Sequence, residues 1–256
     1  SVPSVLYVPD IEPGLALKTL ARMADAIAVT AERSRTYFSN RKDVRVTGYP
    51  VRPDLSNWTD EEAYQALELS SEEPVLLVFG GSKGARSINR ALVSVLPSLL
   101  EETQVLHITG HLDWQDVQQQ SKGLPARLRD RYRAFPYLHE RMGAALTVAD
   151  LVLSRAGASV LGEFPLFELP AVLVPYPHAW RYQRVNAHYL AERGAAVILE
   201  DEHLPEQLLP RVLEILQNKH RLEVMADSMR GLAQPQAADD IARLVVEVGE
   251  KKGARQ

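Results

Sequence analysis

Apolar residues along the chain fall into two patterns that take turns. Short aliphatic or β-branched runs at residues 5–8, 26–29, 44–47, 75–79, 104–109, 151–153, 171–174 and 196–199 predict strands. Stretches with apolar residues at helical spacing follow them, the clearest at 15–23, 59–69, 86–100, 158–167 and 181–193, with Asp60 and Glu61 placed in a favourable first turn. Strand and helix therefore alternate, and the uniformly apolar strands require cover on both faces, which predicts an α/β fold with a parallel, Rossmann-like sheet.

The pattern breaks once, at Gly48-Tyr49-Pro50-Val51-Arg52-Pro53, where two prolines bracket a turn and a new βα series begins. A domain boundary is placed there. Residues 1–53 supply about three strands, too few to cover their own apolar faces, so they are read as an incomplete domain and its linker. Residues 54–234 form the main domain, and 235–256 a last amphipathic helix and tail. An apolar strip left uncovered on the first fifty residues is expected to favour self-association.

Composition narrows the chemistry. The chain has 256 residues, 46% apolar and 24% charged, and its 29 Lys plus Arg against 33 Asp plus Glu give a net charge of −4. With no long basic block, a nucleic-acid partner is disfavoured. There is no cysteine, which removes disulfides, thiolate metal sites and a cysteine nucleophile. The histidines show no metal-binding spacing, and no Gly-x-Ser-x-Gly turn occurs.

Three segments could carry chemistry, and each follows a strand. Gly80-Gly81-Ser82-Lys83-Gly84-Ala85-Arg86 joins a strand to a helix, the arrangement that offers backbone N–H groups and a positive helix end to a phosphate. It matches neither the dinucleotide nor the P-loop spacing, so a tight turn needing glycine for its dihedrals stays open beside phosphate binding. Ser154-Arg155-Ala156-Gly157-Ala158-Ser159 opens a second helix that carries Glu163 about two turns in, either as a ligand for sugar hydroxyls or as a solvated carboxylate. Pro175-Tyr176-Pro177-His178-Ala179 precedes Gln183 and Asn186, whose three-residue spacing puts both amides on one helix face, either opening into a cleft or serving capping and surface packing. All three lie beyond strand ends of one parallel sheet, where ligands gather.

Together these segments resemble the donor-binding half of the MurG-type glycosyltransferases, family 28, which have the two-domain GT-B fold. The run from Gly80 to Asn89 is similar to that family's Gly-Gly-Ser-Gln-Gly-Ala-Arg-x-x-Asn, and Ser154-Arg155-Ala156-Gly157-Ala158 with Glu163 to its Ser-Arg-x-Gly-Ala-x-x-x-x-Glu. Residues 175–187 resemble the segment that holds the donor sugar, and residues 13–15 and 46–52 the end of the N-terminal domain and the linker. The resemblance implies an inverting N-acetylglucosaminyltransferase of peptidoglycan synthesis, using UDP-N-acetylglucosamine and no metal or cofactor, peripheral at the cytoplasmic face of the membrane. It implies that Gly81, Ser82, Lys83 and Gly84 hold the diphosphate, that Arg52 lies near the nucleotide, and that Tyr137 and Leu138 frame the uracil. It assigns Glu163 to the ribose, Gln183 and Asn186 to the sugar ring, and Ala158 and His178 to the surrounding substrate-binding segments.

Three positions depart from the family pattern: Lys83 and Tyr182 stand where glutamine is usual, and Tyr49 where asparagine is. Lys83 is expected to add a charge contact to the diphosphate. The family's Gly-Gly-Thr-Gly-Gly-His loop, which carries acceptor contacts and the candidate base, occurs nowhere in the sequence. The chain is therefore expected to bind donor without completing transfer to the undecaprenyl-diphosphate-linked muramyl-pentapeptide. It reads as a fragment, or as half of a split enzyme whose N-terminal half or membrane-bound partner brings the acceptor. A glycolipid glycosyltransferase, a UDP-N-acetylglucosamine epimerase and a non-catalytic nucleotide-sugar-binding subunit are the alternatives.

Overall fold

The computed structural model describes residues 2–38, 43–81, 84–178 and 181–253. The first part contains strands β1 (Val5–Val8), β2 (Ala26–Val29) and β3 (Val44–Val46), with helix α1 (Leu15–Leu20) between the first two. These strands pair in the order β1-β2-β3, all parallel. After the linker and helix α2 (Asp60–Leu67) comes the second part. Strands β4 (Val75–Phe79), β5 (Gln104–Ile108) and β6 (Tyr132–Phe135) alternate with helices α3 (Arg86–Leu99), α4 (Trp114–Ser121) and α5 (Met142–Val148). Then follow β7 (Leu151–Ser154), the short α6 (Glu163–Leu166), β8 (Ala171–Leu173), α7 (Tyr182–Ala191) and β9 (Ala196–Ile198). Helices α8 (Leu204–Leu216), α9 (Lys219–Arg230) and α10 (Ala237–Gly253) complete the described chain.

Six strands form the larger sheet in the order β6-β5-β4-β7-β8-β9, every pair parallel. Its two faces bury separate cores, which explains the unbroken apolar strands. In β4, Val75 and Leu77 point into one core with Leu106, Val152 and Phe164, while Leu76 and Val78 point into the other with Leu92, Leu153 and Val212. The order reverses between β4 and β7, so the loops leaving these neighbours diverge and open a crevice at their C-terminal ends. The register aligns Phe79 with Ser154 and with Ile108, which brings the glycine-rich loop and the Arg155–Ser159 loop out side by side.

Helix α2 begins where the sequence marks it: the Thr59 hydroxyl accepts from Glu62 N–H while the Glu62 carboxylate accepts from Thr59 N–H, a reciprocal cap. Strand β6 was not among the expected strands. It is an edge strand in which only Tyr132 is buried, and Arg129, Arg131 and Arg133 hide its alternation. The helix expected over 158–167 is also split, into a 3₁₀ turn at Ala158–Leu161 and α6. Pro165 has no N–H to donate, so the helix restarts at Glu163 and the proline falls in its first turn. Glu163 therefore opens a helix instead of lying two turns inside one.

The last helix returns to the first sheet. Ala26 and Ala28 of β2 pack against Leu244 and Val248 of α10, and Arg45 pairs with Glu247 at 2.8 Å. On the opposite face, Ile27 and Val29 pack with Ala21, Ala24 and Phe38. The small sheet is thus covered on both faces. The apolar strip expected on residues 1–50 reduces to Val2, Leu15, Leu20 and Met23, which stay exposed.

Candidate functional site

The loop from β4 to α3 is shaped by its glycines. Gly81 and Gly84 both take positive φ, +84° and +78°, and Gly84 N–H closes the turn on Gly81 O at 2.9 Å. A Cβ at Gly84 would lie 2.3 Å from Thr109 O, so only glycine fits. The helix that follows has Ala85 at its N-cap, a residue with no polar side chain to offer. The first-turn N–H groups of Arg86, Ser87 and Ile88 consequently lack intrahelical acceptors and sum to a partial positive charge at the sheet edge.

A buried network anchors this turn from behind. Asn89 in α3 donates to Thr109 O at 2.9 Å and to Asp113 Oδ2 at 3.0 Å. Its Oδ1 meets His107 Nε2 at 3.0 Å, and His107 Nδ1 meets the Tyr132 hydroxyl at 2.8 Å. His107 is wholly buried, and desolvation pushes its pKa down to about 3, so it is a neutral packing group at the back of the loop.

In front of the loop lies a cleft of about 460 Å³ lined by Arg52, Gly81, Tyr137, Leu138, Glu163 and Ser159, with Phe79, Ile108, His139 and Met142 completing its wall. Five residues expected from the sequence, Arg52, Gly81, Tyr137, Leu138 and Glu163, therefore meet in one place. Burial raises the Glu163 carboxyl above its usual range, against the opposing pull of the Ser159 hydroxyl and Arg52. Glycine at 162 is required here as well, because a Cβ would lie 2.8 Å from Tyr49, which packs beneath the start of α6. Tyr137 is 41% exposed and sits between two imidazoles, stacked on His111 at 6.2 Å and edge-on to His139 at 4.6 Å.

The remaining expected residues have other surroundings. Ser82 and Lys83, with Ala179, lie outside the described residues. Gly84 shapes the turn as above, and Ala158 begins the 3₁₀ turn that leads to Glu163. His178 is exposed, its ring edge-on to Tyr176 at 5.4 Å. Gln183 Oε1 accepts from Tyr176 N–H at 2.9 Å and so ties α7 to the loop after β8. Asn186 is fully buried: its Oδ1 accepts from Ile11 N–H at 3.1 Å and its Nδ2 donates to Asp10 at 2.8 Å and Ala156 O at 3.2 Å. The two amides thus do not open together into one pocket, because α7 packs under the loop after β1 and Asn186 serves that joint.

Several lining residues went unnamed from the sequence. Phe79 and Ile108 end β4 and β5, and the rule that ligands gather beyond strand ends would have found them. His139 is held at φ +45°, an uncommon conformation for a non-glycine residue that no sequence pattern announces.

The glycosyltransferase family 28 C-terminal domain matches residues 75–243. A UDP-N-acetylglucosamine–N-acetylmuramyl-(pentapeptide) pyrophosphoryl-undecaprenol N-acetylglucosamine transferase from Desulforamulus reducens is 38% identical over 253 residues, covering 96% of this chain and 68% of the relative. The protein of that name from Roseiflexus is 40% identical, with 95% of this chain and 64% of the relative covered. The crystal structure of Acinetobacter baumannii MurG superposes with a TM-score of 0.76 at 26% identity, covering 96% of this chain and 68% of that one. A putative UDP-N-acetylglucosamine 2-epimerase from Listeria monocytogenes shares the fold, with a TM-score of 0.61 at 16% identity. The chain thus spans about two thirds of the length of the transferases it matches.

Proposed function

The chain belongs to glycosyltransferase family 28, and from that premise we propose that it is the donor-binding part of a GT-B glycosyltransferase that transfers N-acetylglucosamine from its UDP conjugate to the muramyl-pentapeptide carried on undecaprenyl diphosphate, the step from lipid I to lipid II. The observation that carries this reading is the cleft at the strand-order reversal, where the glycine loop that leads into an uncapped helix, a buried carboxylate and an aromatic rim meet. A nucleoside diphosphate sugar fits each part: phosphates at the α3 N–H groups, ribose hydroxyls at Glu163, and the base beside Tyr137 and Leu138.

In the reaction the acceptor hydroxyl attacks the anomeric carbon and the bond from that carbon to the β-phosphate oxygen breaks. The electron pair leaves with UDP, and the configuration inverts. This chain's contribution is electrostatic and geometric. The free N–H groups of Arg86 to Ile88, with Lys83 and Ser82 on the loop, stabilise the charge growing on the departing diphosphate. Gln183 and the 175–178 loop orient the sugar, which converts a collision into a held encounter. The base and acceptor contacts come from the remainder of the N-terminal domain, built onto the β1-β2-β3 sheet. The assembled enzyme works peripherally at the cytoplasmic face of the membrane; no helix among the described residues is long and apolar enough to cross one.

Calorimetric titration of the chain with UDP-N-acetylglucosamine, UDP, UDP-glucose and TDP tests the donor assignment. Binding of UDP and its N-acetylglucosamine conjugate with rejection of TDP supports it. Equal binding of UDP and TDP, or of neither, overturns it.

A further inference from the structure

Arg155 leaves the end of β7 beside the cleft, and its side chain is only 10% exposed. Its Nη1 donates to Asp201 Oδ1 at 2.5 Å and to Val174 O at 3.2 Å, and its Nη2 donates to Ser87 Oγ at 2.7 Å. Ser87 Oγ in turn donates to Asp201 Oδ1 at 2.8 Å, closing a triangle. The guanidinium also lies 5.2 Å from the centroid of the Tyr176 ring. These partners come from different segments of the sheet edge. Ser87 is in the first turn of α3, Val174 and Tyr176 follow β8, and Asp201 follows β9.

A planar fork of donors is the side chain suited to such a junction, since it reaches several acceptors in fixed directions. Its charge is matched by Asp201 within the triangle, so it adds little net positive charge to the cleft. What it fixes is the position of the α3 N-terminus relative to the loop after β8, whose Tyr176 N–H is held by Gln183.

We propose that Arg155, acting with Ser87 and Asp201, is a positioning residue that holds the helix end receiving the diphosphate in register with the loop facing the donor sugar. It rests on the donor reading above, and it predicts a signature that general stability would not give. Loss of Arg155 weakens binding in proportion to the phosphate and sugar parts of the ligand and spares the nucleoside. The uridine end is gripped elsewhere, at Tyr137, Leu138 and Glu163, away from the triangle.

The test is calorimetric titration of the chain and its variants with uridine, UDP and UDP-N-acetylglucosamine. Arg155→Met is expected to weaken UDP-N-acetylglucosamine at least tenfold while uridine affinity stays within twofold. The double variant Arg155→Met/Asp201→Asn removes the charge pair together and is expected to remain weak, since position is still lost. Ser87→Ala, which keeps the Arg155–Asp201 pair and so guards against misfolding, is expected to weaken UDP-N-acetylglucosamine at least threefold with uridine unchanged. Equal weakening of uridine and UDP-N-acetylglucosamine would overturn the proposal, as would recovery of wild-type affinity in the double variant or an unaltered Ser87→Ala. Failure of the wild-type chain to bind any of the three ligands would instead sink the donor reading and this inference with it.

Discussion

Glu163 is where the empty protein and the liganded one make opposite demands. Burial raises its carboxyl above the ordinary range, because neither the Ser159 hydroxyl nor the charge of Arg52 fully replaces water. Below both its unfolded and folded pKa the group is neutral in either state and contributes nothing. As pH rises, the unfolded chain ionises first, so the folded state loses stability between the two pKa values and keeps that loss above them. Glu163→Gln, which keeps the shape and removes the charge, is therefore expected to raise the thermal midpoint of the unliganded chain at pH 7.5. Binding responds in the other direction. A carboxylate accepting both hydroxyls of a ribose makes two charge-assisted bonds, and the amide can accept only one, without charge. One such bond is worth about 1.5–3 kcal/mol, or about 10- to 150-fold in Kd. Wild-type affinity for UDP should also fall as pH drops into the Glu163 range, whereas the Gln variant should be flat there. Thermal unfolding without ligand and calorimetry with UDP read the two effects separately. A lower midpoint in the variant, or an unchanged Kd, would refute the reasoning.

Three further outcomes are expected. Gly84→Ala forces a side chain onto Thr109 O at φ +78° and should cost at least about 2 kcal/mol in urea unfolding, with UDP binding lost. Leu244→Ala should remove about 2–4 kcal/mol, because Leu244 is 1% exposed between α10 and β2; limited proteolysis should then cut first within residues 2–38. His107 has a folded pKa of about 3 against an ordinary 6.5, so the unfolded chain takes up its proton first as pH falls and stability drops across that window. The slope from this one group reaches at most about 1.4 kcal/mol per pH unit, and His107→Gln should flatten it in urea midpoints measured at pH 7.5 and 5.

The alternation of strand and helix was legible because parallel strands buried on both faces leave a plain aliphatic trace, and β4 and β7 sit where the sequence puts them. The elements that escaped are those where another requirement overrides the pattern. Strand β6 is an edge, half exposed and flanked by arginines, so it lacks the aliphatic run of its neighbours. Around Glu163 the sequence reads as one helix, but Pro165 dictates where it can start. The glycine-rich loop was readable as a shape, since strand, glycines and helix fix where N–H groups point. The placements of His139 in the cleft and of Tyr49 beneath α6 were not, because they depend on a backbone outlier and on the approach of Gly162 across the linker.

The hardest residues to read were those of α7, and the reason lies in what the helix touches. Spacing puts Gln183 and Asn186 on one face, and the family resemblance gives both to the sugar. In the folded chain, Asn186 is enclosed by Asp10, Ile11 and Ala156. Two residues beyond Asp10, Glu12 receives Arg181 through bonds of 2.6 and 2.9 Å. A Cβ on Gly14 would sit 2.8 Å from the Tyr182 hydroxyl, so the aromatic that replaces the usual glutamine packs onto the same loop. One helix thus carries Gln183, which ties it to the loop after β8, and, one turn on, a polar joint to the first sheet. α7 is thereby tied to residues 10–14 and, through Gln183, to the Tyr176 N–H, while Arg155 lies over the Tyr176 ring. Under the proposed donor reading, the sugar end of the cleft is set by both sheets together, whereas the uridine end rests on the larger sheet and its linker. Periodicity within one element cannot reveal that division, because it is decided by which loop of a distant strand comes to rest against the helix.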